Sequence, residues 1–194
     1  MSASPRILAF AGSARRESFN KRLVRVAAAG AEAAGVGCTV IDLRDHPLPI
    51  YDADLEAESG LPENASVLRE LFRSHQALLI ASPEYNSSIS PLLKNTIDWV
   101  SRSEEGGGDL GPYRDKLAAI LAASPGALGG LRGLVTLRSL LGNIGCTVIA
   151  DQLTVRQADQ AFAPDGSFVD PKQQARVEAL GAELARWVLR AAAG

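Results

Sequence analysis

Residues that can bind an anion are concentrated in one short segment, residues 12–20, which directly follows an apolar run. The segment reads GSARRESFN, and a helical pattern begins at Phe19. The hydroxyl groups of Ser13 and Ser18, the Arg15 guanidinium and the free N–H groups of a helix N-terminus all favour a negative charge. The segment therefore predicts a phosphate-binding loop. A simpler interpretation also fits, in which Ser18 is only the N-cap of the helix and the arginines form a solvated face.

Apolar strand patterns and amphipathic helix patterns alternate along the chain. The predicted strands are 6–11, 38–43, 77–81, 116–123 and 146–150, and the predicted helices are 19–34, 65–73, 91–101, 131–141 and 171–190. Residues 44–64 and 151–170 are expected to be irregular. Five alternations predict a single α/β domain over residues 1–194, a three-layer sandwich around a five-stranded parallel sheet. The flavodoxin-like strand order 2-1-3-4-5 is the favoured arrangement.

Three loops of unusual composition follow the first, third and fourth predicted strands. Because the favoured order brings those strand ends together at the switch point of the sheet, the loops are expected to meet there. The second loop, PEYN at residues 83–86, offers a rigid proline, an aromatic ring and an amide. The third, residues 126–130, is nearly free of side chains, so a flat group can approach its backbone. A ligand with a phosphate at one end and a planar heteroaromatic ring at the other fits all three loops, and FMN is such a ligand.

Composition excludes several other classes of protein. The 194 residues are 46% hydrophobic and 22% charged with a net charge of −2, which is typical of a globular domain and argues against nucleic-acid binding. No apolar run is long enough to cross a bilayer, so a cytoplasmic protein with no membrane partner is expected. Cys38 and Cys146 start the two predicted edge strands, too far apart for a disulfide, and are expected to be free thiols. No cysteine or histidine pair has metal-ligand spacing.

Other nucleotide-binding and hydrolase motifs do not fit. Residues 106–111 match G-x-G-x-x-G, but they follow a charged turn instead of a strand, so the dinucleotide-binding context is missing. No lysine follows a glycine, which excludes a Walker A loop. Ser124 lies between a strand and a helix as a hydrolase nucleophile does, but both histidines precede it, and that fold places its histidine after the serine. The basic first loop also lacks the acidic cluster of a response regulator.

The chain resembles the NAD(P)H-dependent FMN reductase family, which includes quinone, azo-dye and chromate reductases. The resemblance covers nearly the whole length. It rests on GSAR at 12–15 with Ser18 and Asn20, SPEYN at 82–86, LKNTIDW at 93–99, SPG at 124–126 with Gly129 and Gly130, and AF at 161–162 with DG at 165–166. Together these motifs are specific, although Gly-Ser-x-Arg alone is weak.

The resemblance implies a flavodoxin-like domain that binds FMN without a covalent link. The residues expected to bind the cofactor are Ser13, Arg15, Ser18, Phe19, Asn20, Pro83, Glu84, Tyr85, Asn86, Ser124, Gly126 and Gly129. The resemblance also implies a homodimer or homotetramer, with the helix at 91–101 and the Asp98–Trp99 region in the interface. An interface there would explain an exposed tryptophan.

The function implied is an oxidoreductase that passes a hydride from NADPH or NADH to FMN and then reduces a small-molecule acceptor, such as a quinone, a free flavin, an azo dye or a metal oxyanion. The flavin carries the chemistry, so no catalytic acid or base and no metal ligand is assigned. Tyr85 and residues 44–64 are expected to shape the nicotinamide and acceptor side. The alternative is a flavin-binding electron carrier or redox sensor that does not oxidise pyridine nucleotides. The mild net charge speaks against a carrier, since carriers of the flavodoxin type tend to be strongly acidic.

Overall fold

The computed structural model describes residues 4–193, so residues 1–3 and 194 of the predicted domain lie outside it. The strands are β1 (Arg6–Ala11), β2 (Gly37–Asp42), β3 (Ala77–Ala81), β4 (Leu117–Ala123) and β5 (Thr147–Val155). The helices are α1 (Phe19–Ala33), α2 (Ala53–Ser59), α3 (Glu63–Arg73), α4 (Pro91–Val100), α5 (Leu131–Asn143), α6 (Ala158–Ala161) and α7 (Pro171–Ala193). A 3₁₀ turn occupies Leu43–Asp45.

The five strands form one parallel sheet in the order β2-β1-β3-β4-β5, which confirms the predicted order. The central strands β1, β3 and β4 are buried because helices cover both faces, and this explains their continuous apolar sequences. Alternate residues point to opposite sides. Ile7 and Leu79 face the layer formed by α1 and α7, and Leu8 and Leu78 face the layer formed by α3, α4 and α5.

Helices α1 and α7 pack at very short distance because glycines lie at their contact. A Cβ atom added to Gly30 would lie 2.0 Å from the Glu178 carbonyl oxygen, and one added to Gly181 would lie 1.8 Å from the Ala27 carbonyl oxygen. No larger side chain fits at either position without moving a helix. The pair of glycines therefore fixes the spacing of this layer.

Two segments predicted to be irregular contain regular structure. Residues 44–64 include α2, whose N-cap Asp52 accepts a hydrogen bond from the Asp54 N–H at 2.9 Å, and α3 begins at Glu63, earlier than predicted. Strand β5 continues past Ala150 to Val155, and α6 follows it. These predictions were wrong because α2 is short and lacks an apolar stripe, while β5 is an edge strand with an irregularity in its pairing to β4.

The prediction of an exposed tryptophan at position 99 is also wrong. The Trp99 side chain is completely buried, and its Nε1 donates to the Pro49 carbonyl at 2.8 Å. Its ring meets the Tyr51 ring edge-on, with 5.1 Å between the centroids. On the same helix, the Asn95 amide accepts from the Tyr51 N–H and donates to the Pro49 carbonyl, both at 2.8 Å. Trp99 is buried because the long loop after β2 folds over α4.

Asp109 links the glycine-rich segment after α4 to α3. Its carboxylate accepts hydrogen bonds from Arg69 and Arg73 of that helix. The Arg69 guanidinium, the Gly111 N–H and Arg73 outweigh the effect of burial and lower the pKa of Asp109 to about 2. Asp109 therefore stays ionised throughout the neutral and mildly acidic range.

Both edges of the sheet have distinctive side chains. Cys38 lies in β2 and Cys146 directly before β5, and both are free thiols, as predicted. At the β5 edge, the Arg138 guanidinium of α5 donates to the carbonyls of Val148 and Ala150 at 3.3 Å each.

Within residues 4–193, no helix combines the length and the apolar character that a membrane crossing requires.

Candidate functional site

The loops after β1, β3 and β4 meet at the carboxyl end of the sheet and enclose two adjoining clefts. The clefts have volumes of about 140 and 490 Å³, and both are lined by Glu84 and Ser124. All twelve residues predicted to bind the cofactor line one cleft or the other. Cofactor sites typically occupy roughly 300–1,000 Å³, so the combined space suits a ligand of that size. The switch-point location predicted from the strand order is confirmed.

The loop after β1 presents hydrogen-bond donors to the smaller cleft. Ser18 is the N-cap residue of α1, yet its hydroxyl makes no capping hydrogen bond, so it is free to contact a ligand. The Ser13 hydroxyl accepts from the Arg15 N–H at 3.3 Å, which leaves its own proton available. Among the ion pairs of residues 4–193, none involves Arg15. This part of the cleft therefore offers donors and a positive charge.

Arg15 is supported by a row of aromatic rings. Its guanidinium carbon lies 5.4 Å from the centroid of the Phe19 ring, a favourable cation–π distance. The Phe19 ring lies nearly parallel to that of Phe162 with centroids 6.2 Å apart, and Phe162 in turn packs on Phe168 at 4.4 Å. Phe19 thus lines the cleft and also orients Arg15. Phe162, which was not among the residues predicted to bind the cofactor, packs on the other side of Phe19.

Asn20 binds the protein backbone instead of facing a ligand with its amide. Its Nδ2 donates to the Ala123 carbonyl and its Oδ1 accepts from the Ala123 N–H, both at 2.9 Å. The Leu121 carbonyl, two residues earlier in β4, accepts from the Ser82 N–H of the neighbouring chain segment. Asn20 therefore pairs with β4 just beyond the point where β3 ends. It links the first loop to the third.

Glu84 is also engaged within the protein. Its Oε2 accepts from the backbone N–H groups of Arg132 and Gly133 at 3.0 and 3.2 Å, and its Oε1 pairs with the Arg132 guanidinium at 2.6 Å. Burial alone would raise the pKa of Glu84, but the Arg132 side chain and these N–H groups hold that pKa below its usual value. Arg132 was missed by sequence reasoning. A cation in the first turn opposes the helix dipole, which is a sign that a carboxylate accompanies it.

The loop after β3 forms a tight turn at the mouth of the clefts. Tyr85 and Ser88 exchange backbone hydrogen bonds of 2.9 and 3.0 Å, and the two residues between them, Asn86 and Ser87, have φ angles of 50° and 66°. Two positive φ values identify a type I′ turn, a conformation that asparagine tolerates well and serine adopts less readily. Tyr85, the first residue of this turn, is 51% exposed.

The loop after β4 is shaped by glycines. Gly129 and Gly130 have φ angles of 62° and 94°, which favour glycine, and a Cβ on Gly130 would lie 2.7 Å from the Ala122 side chain. The Ser124 hydroxyl accepts from the Gly126 N–H at 3.2 Å and so stabilises the start of the loop. A Cβ on Gly126 would lie 3.6 Å from the Ser124 hydroxyl oxygen, an ordinary van der Waals contact. The third wall therefore combines glycine backbone with the exposed Leu128 side chain, which also lines the larger cleft.

The chemistry of the cleft suits FMN. The phosphate end requires donors without a competing carboxylate. The one acidic residue that lines the smaller cleft, Glu84, directs its carboxylate to α5, while Glu17 pairs with Arg22 at 2.7 Å. Two serine hydroxyls, an unpaired arginine and a helix N-terminus remain, and together they match a phosphate dianion.

The sequence profile of the NADPH-dependent FMN reductase family matches residues 5–160 of the chain. The chain belongs to this family. An NAD(P)H-dependent FMN reductase of Pseudomonas aeruginosa is 33% identical over 191 residues, 98% of each chain. A probable NADPH:quinone oxidoreductase of Oryza sativa is 34% identical over 189 residues, 95% of this chain and 89% of the relative.

A solved structure supports the same assignment to the FMN reductase family. The flavoenzyme FerB from Paracoccus denitrificans, an NAD(P)H:(acceptor) oxidoreductase, superposes with a TM-score of 0.80 at 27% identity, covering 96% of this chain and 98% of its own. The predicted family and flavodoxin-like fold are therefore confirmed. The protein is an FMN-dependent oxidoreductase with NAD(P)H as electron donor, and the electron-carrier alternative is not favoured.

Proposed function

We propose that residues 1–194 form one FMN-binding domain that reduces a small diffusible acceptor at the expense of NADPH or NADH. The observation that carries the proposal is the convergence of three loops around clefts that offer phosphate-binding groups at one end and a glycine-rich loop at the other. Bound FMN supplies the redox chemistry, since its ring can take a hydride from NAD(P)H and pass electrons on. The protein contributes binding, orientation and access.

The twelve cleft residues have different proposed roles. The Ser13 and Ser18 hydroxyls, the Arg15 guanidinium and the first N–H groups of α1 bind the phosphate, while Phe19 orients Arg15. Asn20 acts through the backbone of Ala123 by keeping the phosphate loop in place. Residues 83–86 form one wall of the ring site, and Ser124, Gly126 and Gly129 form the other.

The exposed Tyr85 shapes the side on which nicotinamide and acceptor alternate. No acid or base needs to be assigned, because a hydride donor and an electron acceptor can use the same open face in turn. Relatives named as quinone oxidoreductases and as an FMN reductase support a quinone or a free flavin as the acceptor. An azo dye or a metal oxyanion is a further candidate of the same kind.

An anaerobic titration tests this function. The purified protein with FMN is mixed with NADPH or NADH, and the flavin absorbance is followed before and after a quinone is added. We expect bleaching followed by recovery of the colour. A flavin that stays oxidised with both nucleotides would identify a carrier, and a protein that binds no FMN would exclude both functions.

Arg15→Ala tests the phosphate assignment. Loss of a charge-assisted hydrogen bond should cost about 1.5–3 kcal/mol of FMN binding free energy, which is roughly a 10- to 150-fold higher dissociation constant. Flavin fluorescence quenching measures it. Arg16→Ala is the matched control, since Arg16 is exposed one residue away and does not line the cleft. Equal FMN affinities of the two variants would contradict the assignment.

The proposed assembly is a homodimer or homotetramer in the cytoplasm. The interface predicted at α4 and Asp98–Trp99 loses the support of an exposed tryptophan, because Trp99 is buried. The exposed apolar side chains of α5 support an interface at that helix instead, since Leu131 is 41% and Val135 is 63% accessible. Two free thiols fit a reducing compartment. Light scattering coupled to size exclusion should give a mass above 20.4 kDa, and Val135→Glu should lower it toward that of the monomer.

A further inference from the structure

We propose that Glu84 is a positioning residue that locks the Tyr85–Ser88 turn onto the start of α5 and thereby sets the distance between the two walls of the ring site. The inference rests on the proposed flavin site and assigns Glu84 a role different from direct contact with the cofactor. The Glu84–Arg132 ion pair joins the loop after β3 to the first turn of α5.

Helix α5 lacks a side-chain cap of its own. Its N-cap residue is Gly130, which has no side chain, and no side-chain capping bond is made from that position. The N–H groups of Arg132 and Gly133 are satisfied instead by the Glu84 carboxylate, 48 and 49 residues earlier in the chain. Because this capping carboxylate comes from the loop after β3, the first turn of α5 keeps its capping hydrogen bonds only while that loop stays in place.

The Glu84 carboxylate also offsets the unfavourable positive charge of Arg132. Arg132 lies in the first turn of α5, where the helix dipole disfavours a cation. The Glu84 carboxylate compensates for it through hydrogen bonds to the Arg132 side chain of 2.6 and 2.7 Å, and the carboxylate side chain is only 8% exposed. Each carboxylate oxygen thus serves a different part of α5. One oxygen binds the backbone and the other binds the guanidinium.

The Tyr85–Ser88 turn also packs closely against α5. A Cβ added to Gly133 would lie 3.3 Å from both the Glu84 Cβ and the Ser88 carbonyl oxygen. The backbone of the turn therefore lies against the helix at a glycine. Tyr85, one residue after Glu84, takes its position from this contact, and so does the loop of residues 126–130 that leads into α5.

Glu84→Gln is the decisive substitution because it keeps the shape and removes the charge. The Gln amide can still accept from the backbone N–H groups with its oxygen, but its NH₂ group then faces the Arg132 guanidinium, donor against donor. We expect the turn to separate from α5. The measurements are the FMN dissociation constant, the visible circular dichroism of the flavin at saturating FMN, and kcat/KM for NADPH at saturating FMN.

For Glu84→Gln, the FMN dissociation constant should rise by roughly tenfold, in keeping with loss of hydrogen bonds to a charged group. The visible circular dichroism should change, and kcat/KM should fall. Arg132→Gln provides a second variant that retains the cap, and it should show the same changes to a smaller extent. Glu56→Gln is the matched control, because Glu56 is an equally buried carboxylate that pairs with Arg102 and lines neither cleft.

In Glu56→Gln, the melting temperature should fall while the flavin measurements stay at wild-type values. If Glu84→Gln behaves in the same way, Glu84 is a stabilising cap only and the inference is overturned. If Glu84→Gln does not fold, the Arg132→Gln variant decides by the same measurements. A wild-type protein that binds no FMN would overturn the proposed function as well, an outcome distinguishable from failure in the variants alone.

Discussion

Substitution of Asn20 by alanine should destabilise the protein and weaken FMN binding together. The substitution leaves the N–H and the carbonyl of Ala123 without partners at a position where both residues are 3% exposed. An unsatisfied buried backbone group costs roughly 1–3 kcal/mol. The cleft admits some water, so a total of about 2–4 kcal/mol is expected. For a chain of this length that lowers the melting temperature by roughly 5–15 °C.

Thermal and urea unfolding of the apoprotein measure the loss of stability, and fluorescence quenching measures FMN affinity. Asn95→Ala is the matched control, because the Asn95 amide also bridges backbone groups but is half-buried on α4 and away from the clefts. It should cost about 1 kcal/mol and leave FMN affinity unchanged. Asn20→Asp should be at least as harmful as Asn20→Ala, since a carboxylate oxygen then faces the Ala123 carbonyl.

An Asn20→Ala variant that unfolds at the wild-type urea concentration would contradict this prediction. So would a variant whose stability falls as expected while its FMN affinity stays unchanged. In that case the link between the first and third loops does not position the phosphate loop.

Two further substitutions test the frame around the site. Gly181→Ala should lower the free energy of unfolding by about 1–3 kcal/mol, because the added Cβ collides with the Ala27 carbonyl. Gly142→Ala is the control and should be neutral or stabilising, since nothing lies close to that position of α5. Urea unfolding of the two variants compares these free energies. In the folded protein, Arg69 lowers the pKa of Asp109 to about 2. The ionised Asp109 therefore contributes its full share to the free energy of unfolding above the pKa that aspartate has in the unfolded chain, near 4, and this contribution is lost as the pH falls toward 2. Between pH 4 and pH 2, the wild type should therefore lose on the order of 2 kcal/mol more stability than Asp109→Asn, and equal losses would contradict the ion pair.

The sequence predicts the central elements well because their environment is uniform. Strands β1 and β3 have the predicted bounds, and β4 differs by one residue, since a strand buried on both faces is apolar throughout. The edge strand β5 is less predictable, because most of its residues are exposed or half-exposed and its polar positions resemble a loop. Helix α2 carried a capping signal at Asp52, but in its seven residues the apolar ones are few, and small apart from one leucine, and they form no helical stripe.

The residues that line the candidate site could also be predicted, whereas the direction of their side chains could not. Residue type suggests that Asn20 and Glu84 contact a ligand, and both instead bind backbone more than 40 residues away in sequence. Trp99 was expected at the surface because nothing in its local sequence indicates that Pro49 and Tyr51 cover it. Such contacts depend on how a long loop folds back, and that is decided by the tertiary structure.

The Arg138 guanidinium on the β5 carbonyls has a consequence for how copies of the protein can meet. A free strand edge is a template on which another chain can add a strand, and proteins with such edges tend to aggregate. Here the outward carbonyls of Val148 and Ala150 already have a donor. Extension of the sheet through β5 would require Arg138 to withdraw from these carbonyls, so edge-to-edge aggregation at β5 is hindered.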